Sequence, residues 1–258
     1  MTTAFDVDGA LAILTFNRPE ARNAMTWEMY DALVDACERV DGDANLRVLV
    51  IRGAGGQAFV AGTDISQFKG FQSREDGLAY EKRLDTALDR LERLTKPAIA
   101  QIEGVAAGGG CAIAICCDLR IATPVSTFGI PIARTLGNCL SGATYSRLVD
   151  LVGPGRTKEI LFTGRMLSAA DAQATGLINY IVASSEISTV VRELATTIAG
   201  HAPLTIRATK EMLRRLAVQR RLAEGADEDL IALCYTSDDF KEGVAAFLEK
   251  RKPVWKGR

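Results

Sequence analysis

The chain has 258 residues, 48% of them hydrophobic, which is enough to bury a sizeable core as one large domain or a domain with an appended subdomain. Its 31 basic and 32 acidic residues nearly cancel and form no long like-charge block, so no footprint for nucleic acid or a membrane surface is present. The opening MTTAFDVDGALAILTF lacks a basic segment leading into an apolar one, no apolar run is long enough for a bilayer, and six cysteines lie mostly in apolar stretches. These features give the expectation of a cytoplasmic protein with reduced, buried thiols.

Ala10 to Pro19 reads as a strand stopped by Asn-Arg-Pro, and the segment after it places Met29, Leu33, Cys37 and Val40 at helical spacing. Leu46 to Gly56 is a second strand ending in glycines. A long amphipathic helix follows, with Leu84, Leu88, Leu91 and Leu94 inward and Pro97 closing it. Ala98 to Gly104 gives a third strand, and GGGCAIAICCD a helix so apolar that it must be buried. Strand and helix alternate, which makes the fold class α/β. From about Gly153 the pattern turns helical, with Ser168 and Asp171 spaced as a capping pair, a short strand at LINYIV, and helices from about Ser185 to Lys252.

Several chemistries lack their residues. The glycines of RGAGG after the second strand do not continue into a G-x-G-x-x-G helix, which argues against a nicotinamide fold. Cys116 and Cys117 have no CxxC or histidine companion, so no metal site is expected. His201, the only histidine, has no partner in its neighbourhood for nucleophilic catalysis.

Two glycine-rich loops carry more. FVAGTDI (Phe59 to Ile65) and GVAAGGGC (Gly104 to Cys111) each end a strand in small residues that free backbone N–H groups, and the second opens a helix at its positive end. Together they can aim two amides at one oxygen, an oxyanion hole for an enolate or a tetrahedral anion. The same small residues equally suit close packing of strand on helix.

FNRPEARNAM, FVAGTDISQF, GVAAGGGCAIAICCDLRIA, FGIP, LFTGRMLSAADAQATGLINYIV and GVAAFLEKRKPVWKG stand in the order of the motifs of the crotonase, or enoyl-CoA hydratase/isomerase, family, which the chain resembles over nearly its whole length. The resemblance implies a spiral of ββα turns over residues 1–195, with a helical trimerisation region over 196–258. It further implies an acyl- or enoyl-CoA thioester whose carbonyl sits in a hole made by the amides of Thr63 and Gly109. By the same motifs Arg22, Ala24, Ala61, Asp64 and Ile65 fall where the family wraps nucleotide and pantetheine. Phe247 and Lys250 fall where a neighbouring subunit's C-terminal helix reaches the nucleotide; the charges of Arg22 and Lys250 suit phosphate. Coenzyme A enters only as part of the substrate, with no permanent cofactor, in a homotrimer or a dimer of trimers.

In family hydratases two glutamates, one after the glycine run and one after FG-x-P, deliver water. Here those positions are Ala112 and Ile132, which transfer no protons, so two-glutamate hydration is not expected and an apolar acyl group is. The loop from Ile132 to Leu148 offers Arg134, Asn138, Cys139, Ser141 and Tyr145 but no carboxylate. Cys139 becomes a nucleophile or base if Arg134 or a helix start near Ser141 lowers its pKa, and is otherwise a plain buried thiol; Tyr145 is a further proton carrier. Asp64 and Glu103 are the nearest acids in sequence, and any other carboxylate has to come from Asp85, Asp89 or the C-terminal helices. An enzyme working mainly through the oxyanion hole and a catalytically silent acyl-CoA binding protein are both consistent with these residues.

Overall fold

Alternating strands and helices build two sheets that share one spiral. The computed structural model describes residues 1–258. It opens with an antiparallel hairpin, β1 (Thr3–Asp8) and β2 (Leu11–Phe16), followed by α1 (Trp27–Gly42), in which Met29, Leu33, Cys37 and Val40 are all buried. Three turns of strand, strand, helix come next: β3 (Val48–Gly53), β4 (Ala58–Val60) and α2 (Arg74–Glu92); β5 (Ala98–Ile102), β6 (Val105–Ala107) and α3 (Gly109–Cys116); β7 (Leu119–Ala122), β8 (Thr127–Gly129) and the short α4 (Ile132–Thr135). The first strand of each turn joins one sheet and the second joins the other. Then come α5 (Gly142–Thr163), β9 (Leu167–Ser168), α6 (Ala169–Ala174), β10 (Tyr180–Ile181), α7 (Ile187–Ala199), α8 (Pro203–Val218), α9 (Glu228–Tyr235) and α10 (Asp238–Leu248). The six-stranded sheet runs β1-β2-β3-β5-β7-β10 and the four-stranded one β4-β6-β8-β9, so the expected spiral of ββα turns is the observed architecture.

The residues explain this division. β5 is buried along its whole length, as a central parallel strand is, and its one polar residue, Gln101, donates to Glu103 and Ser188. Leu84, Leu88 and Leu91 turn α2 inward, and Ser73 and Asp76 close its N-terminus as a reciprocal capping box. α5 breaks at Gly153, φ 74°, ahead of Pro154, which cannot donate to the helix ladder.

α7 lays Ile187, Val191 and Ala195 against Leu11, Val48, Val50, Ile99 and Ile121 of the large sheet, so the expected boundary at 195/196 falls inside a core helix. The chain leaves the core after Ala199. α8 buries none of its residues and exposes Leu204, Met212, Leu213 and Leu216. α9 instead folds back over α2, and α10 over the Ile65–Phe68 turn and α4, so that Tyr235 and Phe240 join Phe68, Phe71 and Tyr80 in an aromatic cluster with centroid separations from 4.8 to 6.3 Å. Gly243 permits this return: a Cβ there lies 2.3 Å from the Leu136 carbonyl oxygen, so only glycine lets α10 close on that loop.

Candidate active site

β4 and β6 pair in parallel, Ala58 with Val105 and Val60 with Ala106, so the loops that follow them leave the small sheet side by side. Thr63 and Gly109 therefore line one cavity of about 140 Å³. A Cβ on Gly109 lies 3.8 Å from Thr63 N, which measures how close the two backbones come. Thr63 N–H donates to no protein acceptor, although its neighbours are engaged on both sides: Met25 N–H donates to Gly62 O and Asp64 N–H to Met25 O. Gly109 is the first residue of α3 and has no carbonyl one turn earlier to receive its N–H. Two free donors and the positive end of a helix thus converge on one spot.

Thr63 is held from behind. Its hydroxyl is bonded to Tyr30 Oη at 3.0 Å and to Tyr80 Oη at 2.9 Å, and burial raises the pKa of both phenols, which stay protonated hydrogen-bonding groups. The segment from Arg18 to Met25 braces the same loop. Buried Asn23 accepts from Arg18 N and donates to Ala54 O and Ala58 O, while Ala61 N–H donates to Arg22 O. Arg22 and Ala24 accordingly sit beside Ala61, with Arg22 exposed at the rim; Ala61 and Ile65 line the cavity itself.

Asp64 does not face the cavity. Its carboxylate accepts from Ser66 N and Oγ and pairs with Arg18 at 3.2 Å. Burial pulls that carboxyl up, but the Ser66 and Arg18 bonds outweigh it and hold it below the usual carboxylate range. It anchors the loop.

The walls around the two amides are mostly apolar. Ala112 and Ile132 both line the cavity, with Leu84, Leu136 and Leu140 nearby. Phe247, on the chain's own α10, also lines it. Lys250 is exposed beyond the end of that helix and is not among the residues that line this cavity.

One carboxyl faces this space, and it is none of those singled out from the sequence. Glu81, on α2, is 3% exposed and lines the cavity together with Thr63 and Gly109. Tyr235 Oη donates to its Oε1 at 2.5 Å, and Asn138 Nδ2 donates to Tyr235 Oη at 3.1 Å. Burial is the chief cause that pushes its pKa up to about 8, repulsion from Asp85 and Asp227 adds to this, and hydrogen bonds from Tyr235 and the Ser141 backbone oppose it. Asn138 Oδ1, in the same wall, is buried with no protein donor. The sequence does hold a signal for Glu81: it stands three residues before Leu84 and seven before Leu88, inside the apolar stripe of α2.

The other candidates lie elsewhere. Cys139 and Tyr145 line a separate cavity of about 560 Å³ with Leu222, Leu230 and Leu233. A hydrogen bond with Cys234 and then burial raise the Cys139 thiol far above its ordinary value, the reverse of what a nucleophile needs. Ser141 does cap α5, as expected, but its hydroxyl is bonded to Asp85 and Thr144 N rather than serving Cys139. Glu103 accepts from Gln101 at the corner between β5 and β6, outside the cavity. Arg134 and His201 are exposed. No group of histidine, cysteine or acidic side chains has a metal-binding arrangement, and no helix is long and apolar enough to cross a membrane.

With this geometry in hand, comparison with known proteins decides the family. The family model described as enoyl-CoA hydratase/isomerase matches residues 6–258. The chain belongs to the enoyl-CoA hydratase/isomerase family. A crotonyl-CoA hydratase of Syntrophomonas wolfei is 36% identical over 246 residues, 94% of this chain and 93% of that one. Among solved structures, an enoyl-CoA hydratase/carnithine racemase from Magnetospirillum magneticum shares 33% identity over 100% of this chain and 96% of its own, with a TM-score of 0.81. A methylmalonyl-CoA decarboxylase in complex with 2-nitronate-propionyl-CoA shares 28% identity over 100% and 99%, with a TM-score of 0.91. This family member is an enzyme with the crotonase fold.

Proposed function

We propose that this enzyme binds an acyl- or enoyl-CoA, polarises its thioester carbonyl with the amides of Thr63 and Gly109, and works through the resulting enolate without adding water by paired glutamates. The observation that carries the reading is the joint lining of one cavity by two unengaged amides and by Ala112 and Ile132. A preorganised donor of this kind contributes about 10²–10³ in rate, because it meets the oxyanion without having to reorganise. Neither a methyl nor a sec-butyl group can carry the proton that hydration needs.

Enolate chemistry without hydration includes isomerisation, decarboxylation and cleavage beside the carbonyl. Decarboxylation has particular support: two carboxylates at 112 and 132 repel a substrate carboxylate, whereas the apolar pair does not, and the neighbour with a TM-score of 0.91 is a decarboxylase. Apart from a carboxylate to be lost in decarboxylation, the acyl group is apolar, in keeping with Leu84, Leu136 and Leu140. Arg22 at the rim and Lys250 beyond α10 supply cations for the nucleotide phosphates, and the exposed apolar side of α8 suits a homotrimer or a dimer of trimers. The second reading, a silent acyl-CoA binder, is motivated by the same loss of glutamates.

The test is product analysis with crotonyl-CoA and a 2-carboxyacyl-CoA. The enzyme is expected to form no hydroxyacyl-CoA, and sustained hydration by the unaltered chain overturns the reading. Thioesters that bind but are never changed favour the silent binder. In an Ala112→Glu/Ile132→Glu double variant, a gain of hydration marks a disabled hydratase scaffold, and no gain marks a pocket reshaped for other chemistry.

A further inference from the structure

We infer that Glu81 is the proton-transferring carboxyl of this site, exchanging a proton with the carbon beside the thioester carbonyl, with Tyr235 and Asn138 as the residues that position it. The inference rests on the enolate reading above and supplies the group that Ala112 and Ile132 leave missing.

Its grounds are geometric. Glu81 is the only acidic residue lining the cavity that holds Thr63 and Gly109, and it reaches that cavity from α2, opposite in sequence to every position where a glutamate is lost. The carboxyl has a constrained orientation, since Tyr235 Oη binds one oxygen at 2.5 Å and is itself fixed by Asn138 Nδ2 at 3.1 Å. That chain links the site to α9, and α9 packs tightly on α2: a Cβ on Gly77 lies 2.5 Å from Tyr235 Cβ. No cation pairs with Glu81, and the buried guanidinium of Arg147 on the adjoining α5 is committed to Asp85, Asp89 and Glu92. A buried carboxyl without a cation gives up no ion pair when it is neutral, so it can hold a proton at neutral pH and release it to a carbanion.

The step balances without another reactant. In the forward direction the enolate oxygen lies between the Thr63 and Gly109 amides, the C–C π pair takes the Glu81 proton as a new C–H bond, the C=O re-forms, and Glu81 is left as carboxylate until solvent returns the proton. In reverse, the carboxylate removes that proton and the C–H pair becomes the enolate π bond. The groups that set the titration of Glu81 are Asp85 on α2, Asp227 and Tyr235 at α9 and the Ser141 backbone before α5, and its own charge acts in turn on Tyr30 of α1, Tyr80 of α2, Cys139 and Tyr145. Apart from the hydrogen-bonding Tyr235, the acids among them favour the neutral carboxyl.

Exchange of the protons next to the carbonyl of butyryl-CoA in deuterated water isolates this step from any later chemistry. The full-length enzyme is expected to exchange them, with a rate that rises with pH to a plateau above about 8, where the base form is complete. Glu81→Gln should lose about a hundredfold or more while still binding butyryl-CoA, and Glu81→Asp should recover part of the rate with the rising pH limb intact. Tyr235→Phe removes a donor that favours the carboxylate, so its limb should move to higher pH. Exchange by Glu81→Gln within a few-fold of the unaltered enzyme overturns the role of Glu81, as does an unmoved limb in a folded Tyr235→Phe. No exchange by the unaltered enzyme on a thioester it binds overturns the enolate reading itself.

Discussion

A methyl group at Gly109 tests the oxyanion hole in isolation. The added Cβ lies 2.5 Å from Tyr30 Oη and 3.1 Å from Thr63 Oγ1, so Gly109→Ala must push apart the two loops that carry the amides. Turnover should fall by about 10²–10³, and the overpacking against buried Tyr30 should cost about 1–3 kcal/mol of stability, checked by steady-state kinetics beside thermal unfolding. Glu81 makes a second prediction, in stability. Its folded pKa of about 8 lies above the unfolded value of 4.5, so this carboxyl is protonated in both folded and unfolded states below 4.5, and its own contribution to stability is then greatest. As pH rises from there to 8 the unfolded chain releases its proton first, and stability falls by up to about 1.4 kcal/mol per pH unit before levelling off. Urea unfolding across that window should show the slope in the unaltered chain and a weaker one in Glu81→Gln. Thr63, Gly109, Ala112 and Ile132 were legible because each sits in a contiguous motif. Glu81 was overlooked although it stands inside the apolar stripe of α2, and the partner of its carboxyl, Tyr235, lies 154 residues away where no local pattern reaches.

Between elements, one guanidinium clamps α5 to α2. Arg147 is nearly fully buried and pairs with Asp85 at 3.6 Å, with Glu92 at 3.1 Å, and with Asp89. Arg147→Met leaves three carboxylates facing one another without a cation and should cost about 3 kcal/mol, read from the denaturant midpoint. The long amphipathic helices α1 and α2 were foreseen because a 3.6-residue stripe is a local property of the chain. β1 was missed although Asp8-Gly9 is a hairpin signal, because its half-exposed residues show little apolar alternation. β4 and β6 were legible only as strand ends before their glycine loops, and β8, three residues long, is a strand through its neighbours in the small sheet.

For the whole molecule, α8 is an amphipathic helix with no buried residue and an exposed apolar side, beside a core that closes its own cavity through α9 and α10. The resemblance predicted both the spiral and the helical region; which helices return to their own core depends on contacts such as Gly243 against Leu136, which no periodicity encodes. Light scattering after size exclusion should give a trimer or a dimer of trimers, and Leu213→Glu/Leu216→Glu should shift it toward the monomer. The most direct test of enolate chemistry without two-glutamate hydration is mass spectrometry of an enoyl-CoA panel, short to long chain, incubated with the enzyme in ordinary and deuterated water. Deuterium uptake with no added water is the predicted result. Addition of water across the double bond would contradict it.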